Sequence, residues 1–312
     1  MAARATRSAS RAASTTDDAS RCLLLALSHD ELGVIVAGLA DPLRPVVAVA
    51  LSSTCLGLQT PQRAALEVLA QRHKRAVALC RKIEMSCVRL SDAENLESPS
   101  RGTSRRRWDL TADDMATLGM LLRMNWLPRL QRLDLFANSL DAADIQRLCE
   151  GLGQGTAPSV RFLGLGGNES GPAGAEALAA ALHRGALPGL EDLELFNNPL
   201  GNQGVAALVP AVRKLPALKR LHLEGCKIDD EGVASLVADL GKDDFKALET
   251  LYLCVNKITD AGVAKLVAAL DAGGLPKLVD HRYLLLSNSA SASAVKSVED
   301  ALARARARRA VA

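Results

Sequence analysis

The chain has 312 residues, of which 48% are hydrophobic and 23% are charged, so it carries enough apolar material for a sizeable core and is not disordered throughout. Aromatic residues make up only 3%, which argues against an aromatic stacking platform for single-stranded nucleic acid. The 38 basic and 35 acidic residues give a net charge of +3, and this balance excludes a surface devoted wholly to polyanions. We therefore do not expect nucleic acid as the partner.

Seven cysteines are present, and no two of them form a Cys-x-x-Cys pair. This pattern indicates neither a disulfide framework nor a zinc module, and buried free thiols in a reducing compartment are the simplest explanation. No uncharged apolar run approaches the roughly 18–20 residues that span a bilayer. We therefore predict a cytoplasmic protein without a membrane partner, with the nucleus as the alternative compartment.

The first segment, residues 1–21, is rich in Ala, Ser, Thr and Arg and has no acidic residue before Asp17. No apolar face accompanies the arginines, so the composition predicts a disordered tail. An organelle transit peptide has a similar composition and is the alternative.

A small helical module is predicted over residues 22–58. Ser28 and Glu31 form a capping box ahead of an apolar helix from Leu32 to Leu39, which ends at Asp41-Pro42. A second apolar run, Val46 to Leu51, follows and leads into a polar segment. Two short helices in this order form a compact module.

The order of residues from Leu27 to Cys55 resembles the F-box, a helical module that docks on the Skp-type adaptor of a cullin–RING ubiquitin ligase. The resemblance implies four adaptor-binding residues, which are Leu32, Ile35, Leu39 and Leu51. The chain departs from that family at two places. Ser28 stands where the family usually has proline, and Leu56-Gly57-Leu58 replaces its basic-aromatic end. An ordinary pair of capping helices is the alternative.

A long helix is predicted over residues 60–86, because Thr60-Pro61 places a proline at a helix start. The stretch after it is rich in Ser, Glu and Arg and ends in Arg105-Arg106-Arg107. This composition predicts a flexible linker over residues 87–107.

Five copies of one pattern occupy much of the second half of the chain. Each copy has apolar residues at its first, fourth and sixth positions and Asn or Cys at its ninth. The copies read Leu130-x-x-Leu133-x-Leu135-x-x-Asn138, Val160-x-x-Leu163-x-Leu165-x-x-Asn168, Leu190-x-x-Leu193-x-Leu195-x-x-Asn198, Leu218-x-x-Leu221-x-Leu223-x-x-Cys226 and Leu248-x-x-Leu251-x-Leu253-x-x-Asn256. The Asn or Cys residues are 30, 30, 28 and 30 positions apart. This pattern resembles the leucine-rich repeat.

Each copy also predicts a helix, because apolar residues return seven, ten and fourteen positions after the Asn or Cys. Units of this length with full helices resemble the ribonuclease-inhibitor type of repeat. The predicted fold is an α/β leucine-rich-repeat solenoid over residues 108–312, with a concave parallel sheet and convex helices, preceded by a small all-α module. We expect a capping half-repeat over Leu110–Arg123, five regular repeats, and a degenerate sixth that begins at Tyr283-x-Leu285-x-x-Asn288.

The residues between the strand leucines are predicted to face the concave side, since neighbouring strand residues point opposite ways. We expect Phe136, Phe196 and Tyr252 to be exposed partner anchors, although stacking that stiffens the sheet is the alternative. The full set of predicted partner-binding residues is Arg132, Asp134, Phe136, Phe162, Asp192, Glu194, Phe196, Arg220, His222, Glu224 and Tyr252.

Three carboxylates, those of Asp192, Glu194 and Glu224, are predicted to surround His222. Such a cluster fits either a metal or acid–base site, or a hydrogen-bonded surface histidine, and the sequence favours the second. No nucleophile beside a base, phosphate-binding loop or metal-ligand spacing is present, so we expect no catalytic residues, metal or cofactor.

The sequence therefore predicts a non-enzymatic protein-binding module. The F-box resemblance implies a substrate receptor of a cullin–RING ubiquitin ligase that binds its target on the concave face. The alternative is a regulator similar to the Ran GTPase-activating proteins, which also carry ribonuclease-inhibitor-type repeats. The strand-to-helix loops of the five copies contain no arginine, and the C-terminal segment is basic, whereas that family has an acidic tail.

Overall fold

The computed structural model describes Pro42, Pro45 and residues 56–99, 108–241, 243–279 and 284–311. The chain divides into two compact units, Met1–Val77 and Ala78–Ala312. In the first unit, Nδ1 of His73 lies 2.6 Å from the carbonyl oxygen of Pro42. The predicted tail and the four predicted adaptor-binding residues Leu32, Ile35, Leu39 and Leu51 lie outside the described residues.

The long helix α1 spans Leu56–Lys82 and begins earlier than the sequence predicts. Thr60-Pro61 was expected to start it, because proline favours the first helical turn. The helix instead contains one more turn ahead of Pro61. Pro61 therefore lies in the second turn, and the added turn forms without a backbone hydrogen bond from residue 61 to residue 57.

The second unit alternates short strands with helices, and its described strands form one parallel sheet in chain order from β1 to β6. The strands are β1 (Asn95–Glu97), β2 (Arg132–Asp134), β3 (Phe162–Gly164), β4 (Asp192–Glu194), β5 (Arg220–His222) and β6 (Thr250–Tyr252). The helices are α2 (Cys87–Ser91), α3 (Ala112–Arg123), α4 (Ala142–Glu150), α5 (Gly171–His183), α6 (Gly201–Val212), α7 (Asp230–Val237), α8 (Asp260–Asp271) and α9 (Ala292–Val311).

A leucine core joins the sheet to the helices. The central leucine of every strand is at most 2% exposed. The apolar helix positions predicted in the third and fifth copies are buried as well, and they are Val205, Leu208, Val212, Val263, Leu266 and Leu270. Each unit cannot bury its apolar face alone, so neighbouring units supply the rest of the core. α3 begins at a capping box formed by Thr111 and Asp114, and it occupies the segment predicted as a capping half-repeat.

Asparagines at the ninth position of the pattern link their own unit to the preceding one. The amide of Asn168 donates to the carbonyls of Leu135 (3.0 Å) and Leu165 (2.9 Å), and its oxygen accepts from the backbone N–H of Leu140 (3.0 Å). The same two-sided arrangement is formed by Asn198, Asn256 and Asn288. Buried backbone groups between the units are therefore paired, as a close-packed interior requires.

The linker predicted over residues 87–107 is wrong in its first part, because α2 and β1 lie there. β1 is the first strand of the sheet, and Leu96 pairs with Leu133 of β2. The sequence missed it because only Leu96 matches the repeat pattern. The positions that hold Leu130, Leu135 and Asn138 in the next unit hold Ala93, Ser98 and Arg101 here. Residues 100–107 lie outside the described residues.

The predicted sixth repeat is present in part. Residues 284–289 form turns and bends rather than a strand, and the altered strand entry at residues 280–283 lies outside the described residues. The backbone N–H of Leu253 still donates to the carbonyl of Leu284 (3.1 Å), and Asn288 continues the asparagine links. α9 closes this end of the core with Val298 and Leu302 buried.

Among the helices that the structure describes, none has both the length and the apolar composition that crossing a bilayer requires.

Candidate functional site

One face of the sheet carries all eleven predicted partner-binding residues, and we call it the open sheet face. It holds the first and third residues of each strand. The backbone hydrogen bonds between neighbouring segments continue past the ends of β2 to β6, and there the face also holds the residue two positions after the last residue of the strand. The first row is Asn95, Arg132, Phe162, Asp192, Arg220 and Thr250. The second row is Glu97, Asp134, Gly164, Glu194, His222 and Tyr252. The third row is Phe136, Gly166, Phe196, Glu224 and Cys254.

Arg132 organises the end of the open sheet face near β1. Its guanidinium forms ion pairs with Glu97 (2.9 Å) and with Asp134 (3.1 Å). The same group lies 3.4 Å from the ring centroid of Phe162 on β3, which is a cation–π contact. Asp134 also accepts a hydrogen bond from the backbone N–H of Phe136 (3.1 Å). Arg132 is therefore held in one position by three strands, although about a quarter of its side chain (28%) is exposed.

Two phenylalanines meet above β3 in the third row. The ring centroids of Phe136 and Phe196 are 5.4 Å apart and the rings are tilted by 33°. Their strands are not neighbours, because β3 lies between them. β3 carries Gly166 there, and a Cβ at Gly166 would lie 2.5 Å from the Phe196 ring. Because glycine has no side chain, Gly166 leaves room for the aromatic pair, which remains half-buried.

The charged cluster predicted around His222 is formed. Nδ1 of His222 lies 3.0 Å from Oε1 of Glu224, and Nε2 lies 3.6 Å from Oδ1 of Asp192. Glu194 is the register neighbour of His222 on β4. The Tyr252 ring stacks on the imidazole at 4.1 Å between ring centroids. Ligand atoms of Asp192, Glu194 and His222 all lie within 4.8 Å of one another.

Arg220 provides the positive charge next to this cluster. Its Nε donates to Oδ2 of Asp192 at 2.7 Å. That hydrogen bond raises the pKa of the Arg220 guanidinium, and the negative charge of Asp192 acts in the same direction. Arg220 therefore stays charged at any physiological pH, and its side chain is 45% exposed.

Four cysteines are free thiols, namely Cys80, Cys149, Cys226 and Cys254. Burial raises the pKa of Cys149 to about 12 and the pKa of Cys226 to about 12. Burial also raises the pKa of Cys254, which lies at the end of β6, and the charge of Glu224 adds to this shift. A thiol is nucleophilic only as the thiolate, so these groups are unreactive at neutral pH.

The open sheet face differs from the solvated face that the sequence predicts. Asp134, Asp192, Glu194 and Phe162 are buried, with at most 8% of each residue exposed. The three predicted anchors Phe136, Phe196 and Tyr252 are half-buried rather than exposed. The cause is mutual packing, since arginine, aromatic and carboxylate side chains of adjacent strands cover one another. Contact with neighbouring rings was the alternative for the aromatic residues. The Tyr252 ring stacks on His222, and Phe136 and Phe196 contact each other with tilted rings.

The sequence analysis missed two contributions to this face. Glu97 completes the Arg132 network from β1, a strand whose sequence does not match the repeat. Gly164 and Gly166 also lie on this face, and they make space for Asp134 and Phe196. Only the glycines carried a signal in the sequence. Two glycines in one strand segment weaken its side-chain packing and indicate that a neighbouring group approaches the backbone closely.

Comparisons with known proteins agree with this architecture. A family profile described as "Leucine Rich repeat" matches residues 188–209 and 214–237, which are the third and fourth copies with their helices. No curated protein sequence matches the chain. The chain thus contains leucine-rich repeats, and its parallel sheet alternating with helices is an α/β leucine-rich-repeat solenoid. The ribonuclease-inhibitor subtype stays a prediction.

Two solved structures show weak similarity. A structure titled leiomodin-1 actin-binding site 2 is 16% identical, with a TM-score of 0.38, over 64% of this chain and 92% of its own. A chain from the complex of Rad7 and Elc1 in yeast is 14% identical, with a TM-score of 0.36, over 78% of this chain and 69% of its own.

Proposed function

We propose that the leucine-rich-repeat unit is a protein-binding module and that the open sheet face holds its partner on the concave side of the solenoid. The observation that carries this proposal is the arrangement of Phe136, Phe196 and Tyr252. All three rings are held by neighbouring side chains and keep part of their surface accessible. Ordered aromatic residues with accessible surface are typical of interface anchors, because little entropy is lost when they bind.

The charges around these rings support an interface of defined orientation. Arg132 and Arg220 are fixed by ion pairs and remain partly exposed. Fixed charges select a complementary partner and set its register more than they add affinity. Six strands at a spacing of about 4.8 Å give a sheet roughly 25 Å wide, enough for a standard interface of about 800 Å² per partner.

We infer from the sequence that residues 22–58 add a second binding function. The F-box resemblance assigns Leu32, Ile35, Leu39 and Leu51 to a Skp-type adaptor. A chain that binds an adaptor with one segment and a target with its repeats is a substrate receptor of a cullin–RING ubiquitin ligase. This part of the proposal rests on the sequence alone.

The partner-binding proposal is tested by affinity capture with the full chain and with Arg220→Ala. The matched control is Lys265→Ala, which removes an exposed cation from α8 rather than from the open sheet face. A partner of the open sheet face is retained by Lys265→Ala and lost or weakened by Arg220→Ala. A partner retained equally by both variants would contradict the proposal.

The adaptor proposal needs a separate measurement. Purified Skp-type adaptor should bind the full chain and fail to bind the double variant Leu32→Asp and Ile35→Asp. The double variant should retain the repeat fold, which circular dichroism checks. No binding of the adaptor by the unmodified chain would refute the receptor assignment and leave the repeat module unaffected.

A further inference from the structure

The imidazole of His222 has two different neighbours at its two nitrogens. Oε1 of Glu224 lies 3.0 Å from Nδ1, which is a hydrogen-bond distance. An ionised carboxylate only accepts hydrogen bonds, so Nδ1 carries the hydrogen and donates it. In the neutral ring, Nε2 then presents a lone pair towards Asp192.

One carboxylate oxygen of Asp192 faces Nε2 of His222 and has no hydrogen-bond partner among the described residues. Its side chain is 92% buried (8% exposed), and Oδ2 is occupied by Arg220. Oδ1 is buried and has no hydrogen-bond partner among the described residues. It lies 3.6 Å from Nε2 of His222, which is too long for a hydrogen bond. Two acceptor atoms that face each other at this distance repel unless a proton or a metal ion lies between them.

The spacing of these atoms fits a metal ion. Zinc binds imidazole nitrogen at about 2.0–2.1 Å and carboxylate oxygen at about 2.0–2.2 Å, so two ligand atoms of a tetrahedral site lie about 3.4 Å apart. Nε2 and Oδ1 are 3.6 Å apart. A carboxylate oxygen of Glu194 lies within 4.8 Å of these two atoms and is the third candidate ligand. Three protein ligands leave the fourth position of the tetrahedron for water or a partner side chain.

The charges around the cluster also favour a divalent cation. Asp192, Glu194 and Glu224 contribute three negative charges when ionised, and Arg220 contributes one positive charge. Tyr252 stacks on the imidazole and contributes no charge while its hydroxyl is protonated. Arg132, two strands away, is already paired with Glu97 and Asp134. Three carboxylates beside one guanidinium favour the binding of a divalent cation.

We propose that Asp192, Glu194 and His222 bind one divalent transition-metal ion, with zinc as the best fit, and that Glu224 positions the His222 ring. One imidazole nitrogen with two carboxylate oxygens suits zinc, whereas magnesium prefers oxygen ligands and retains several waters. The Glu224–His222 hydrogen bond is the carboxylate–histidine arrangement that orients metal-binding imidazoles. The site stands independently of the proposed partner-binding function, since it uses this chain alone.

The test measures zinc bound to the full chain. The protein is stripped with EDTA, kept in a phosphine reductant, and dialysed against zinc buffered by a weak chelator. All proteins carry Cys254→Ser, which removes the partly exposed thiol near the cluster. We expect one zinc per chain for this parent and at least a 100-fold weaker affinity for His222→Gln and for Glu194→Gln.

Glu224→Gln separates a positioning role from a structural one. We expect its zinc affinity to fall about 10–100-fold, while the visible absorption of bound cobalt(II) keeps its four-coordinate form. A change in that spectrum would contradict the positioning role, because it would place Glu224 among the ligands.

Two variants serve as matched controls. Glu97→Gln removes a carboxylate from the same row as Glu194 but three strands away, and His183→Gln removes an exposed histidine on α5. Both should bind zinc as the parent does. Circular dichroism and urea midpoints confirm that each variant is folded. If His222→Gln does not fold, the comparison of the parent with Glu194→Gln decides the test. Absence of zinc from the folded parent, or equal binding by parent and Glu194→Gln, would overturn the proposal.

Discussion

The rings of Phe136 and Phe196 are in contact, with centroids 5.4 Å apart, although a whole strand separates the backbones that carry them. Adjacent strands are about 4.8 Å apart, so side chains two strands away normally do not meet unless both are large. Gly166 on the intervening strand removes the obstacle, and the Phe196 ring occupies the space where its Cβ would be. A glycine on one strand therefore creates the aromatic surface that its two neighbours share.

The glycine role predicts a specific coupling. Gly166→Ala should destabilise the chain by about 1–3 kcal/mol, because the new methyl group overlaps the Phe196 ring. The same substitution in a Phe196→Ala background should cost little, since the nearest atoms that the methyl group meets are gone. A double-mutant cycle of urea unfolding measures this difference.

Gly153→Ala is the control for the change in backbone entropy, because a Cβ there meets no atom within 4 Å. An equal cost of Gly166→Ala in both backgrounds would show that the ring does not occupy the glycine space.

The asparagine links predict a difference between two copies of the repeat. Asn198 is fully buried, and its amide pairs the carbonyls of Leu165 and Leu195. Asn198→Ala removes one donor from each of the two carbonyls, which then keep only Asn168 and Cys226 as side-chain donors, and it removes the acceptor of the Ser170 backbone N–H. It should cost about 1–3 kcal/mol in the free energy of unfolding. Cys226 holds the same position one unit later and donates one weak bond from Sγ to the Leu195 carbonyl (3.2 Å).

Cys226→Ala should therefore cost clearly less than Asn198→Ala when both are measured by urea unfolding. Equal costs for the two substitutions would mean that the ninth-position residue acts through its volume and not through its hydrogen bonds.

A second link between units predicts a pH dependence. Asp230 accepts hydrogen bonds from the backbone N–H groups of Thr259 (2.8 Å) and Gly262 (2.9 Å) and from the Thr259 hydroxyl (2.6 Å). Burial raises the pKa of Asp230, but these hydrogen bonds outweigh burial and leave the pKa below its usual 3.8. A lowered pKa in the folded state means that stabilisation is present above 3.8 and is lost as the pH falls through the folded-state value.

Asp230→Asn should accordingly lower the urea midpoint at pH 7, and the difference in midpoint between this variant and the unmodified chain should narrow as the pH falls below 3.8. Asp300→Asn, an exposed site on α9, is the control and should change the midpoint little at either pH. If the difference in urea midpoint between Asp230→Asn and the unmodified chain did not change with pH, Asp230 would be excluded as a source of acid sensitivity.

The repeat spacing was sufficient to predict the strand register and the helix faces. A leucine at fixed offsets from Asn168 or Asn198 fixes which side chains point inward, because strand residues alternate. All eleven predicted partner-binding residues consequently lie on one face. The register alone also brought His222 next to Asp192 and Glu194.

The burial of those side chains and the first strand could not be predicted. Burial of Asp192 and Glu194 depends on which neighbours lean over them, and a one-dimensional pattern does not record this. β1 pairs through its backbone and one leucine, so its sequence carries little of the repeat signal. Tertiary pairing overrides weak local preference in such segments.

Leu195 and Phe196 are adjacent residues on opposite sides of the sheet, and comparing their alanine substitutions tests the central claim most directly. Leu195→Ala opens a core cavity and should lower the free energy of unfolding by about 2–5 kcal/mol. Phe196→Ala should lower it by only about 1 kcal/mol, the scale of one aromatic contact. It should also weaken binding of the captured partner by about 1–3 kcal/mol, which is a factor of roughly 5–150 in Kd. If Phe196→Ala unfolds the chain as readily as Leu195→Ala, or binds the partner as tightly as the unmodified chain, the open sheet face is not the binding surface.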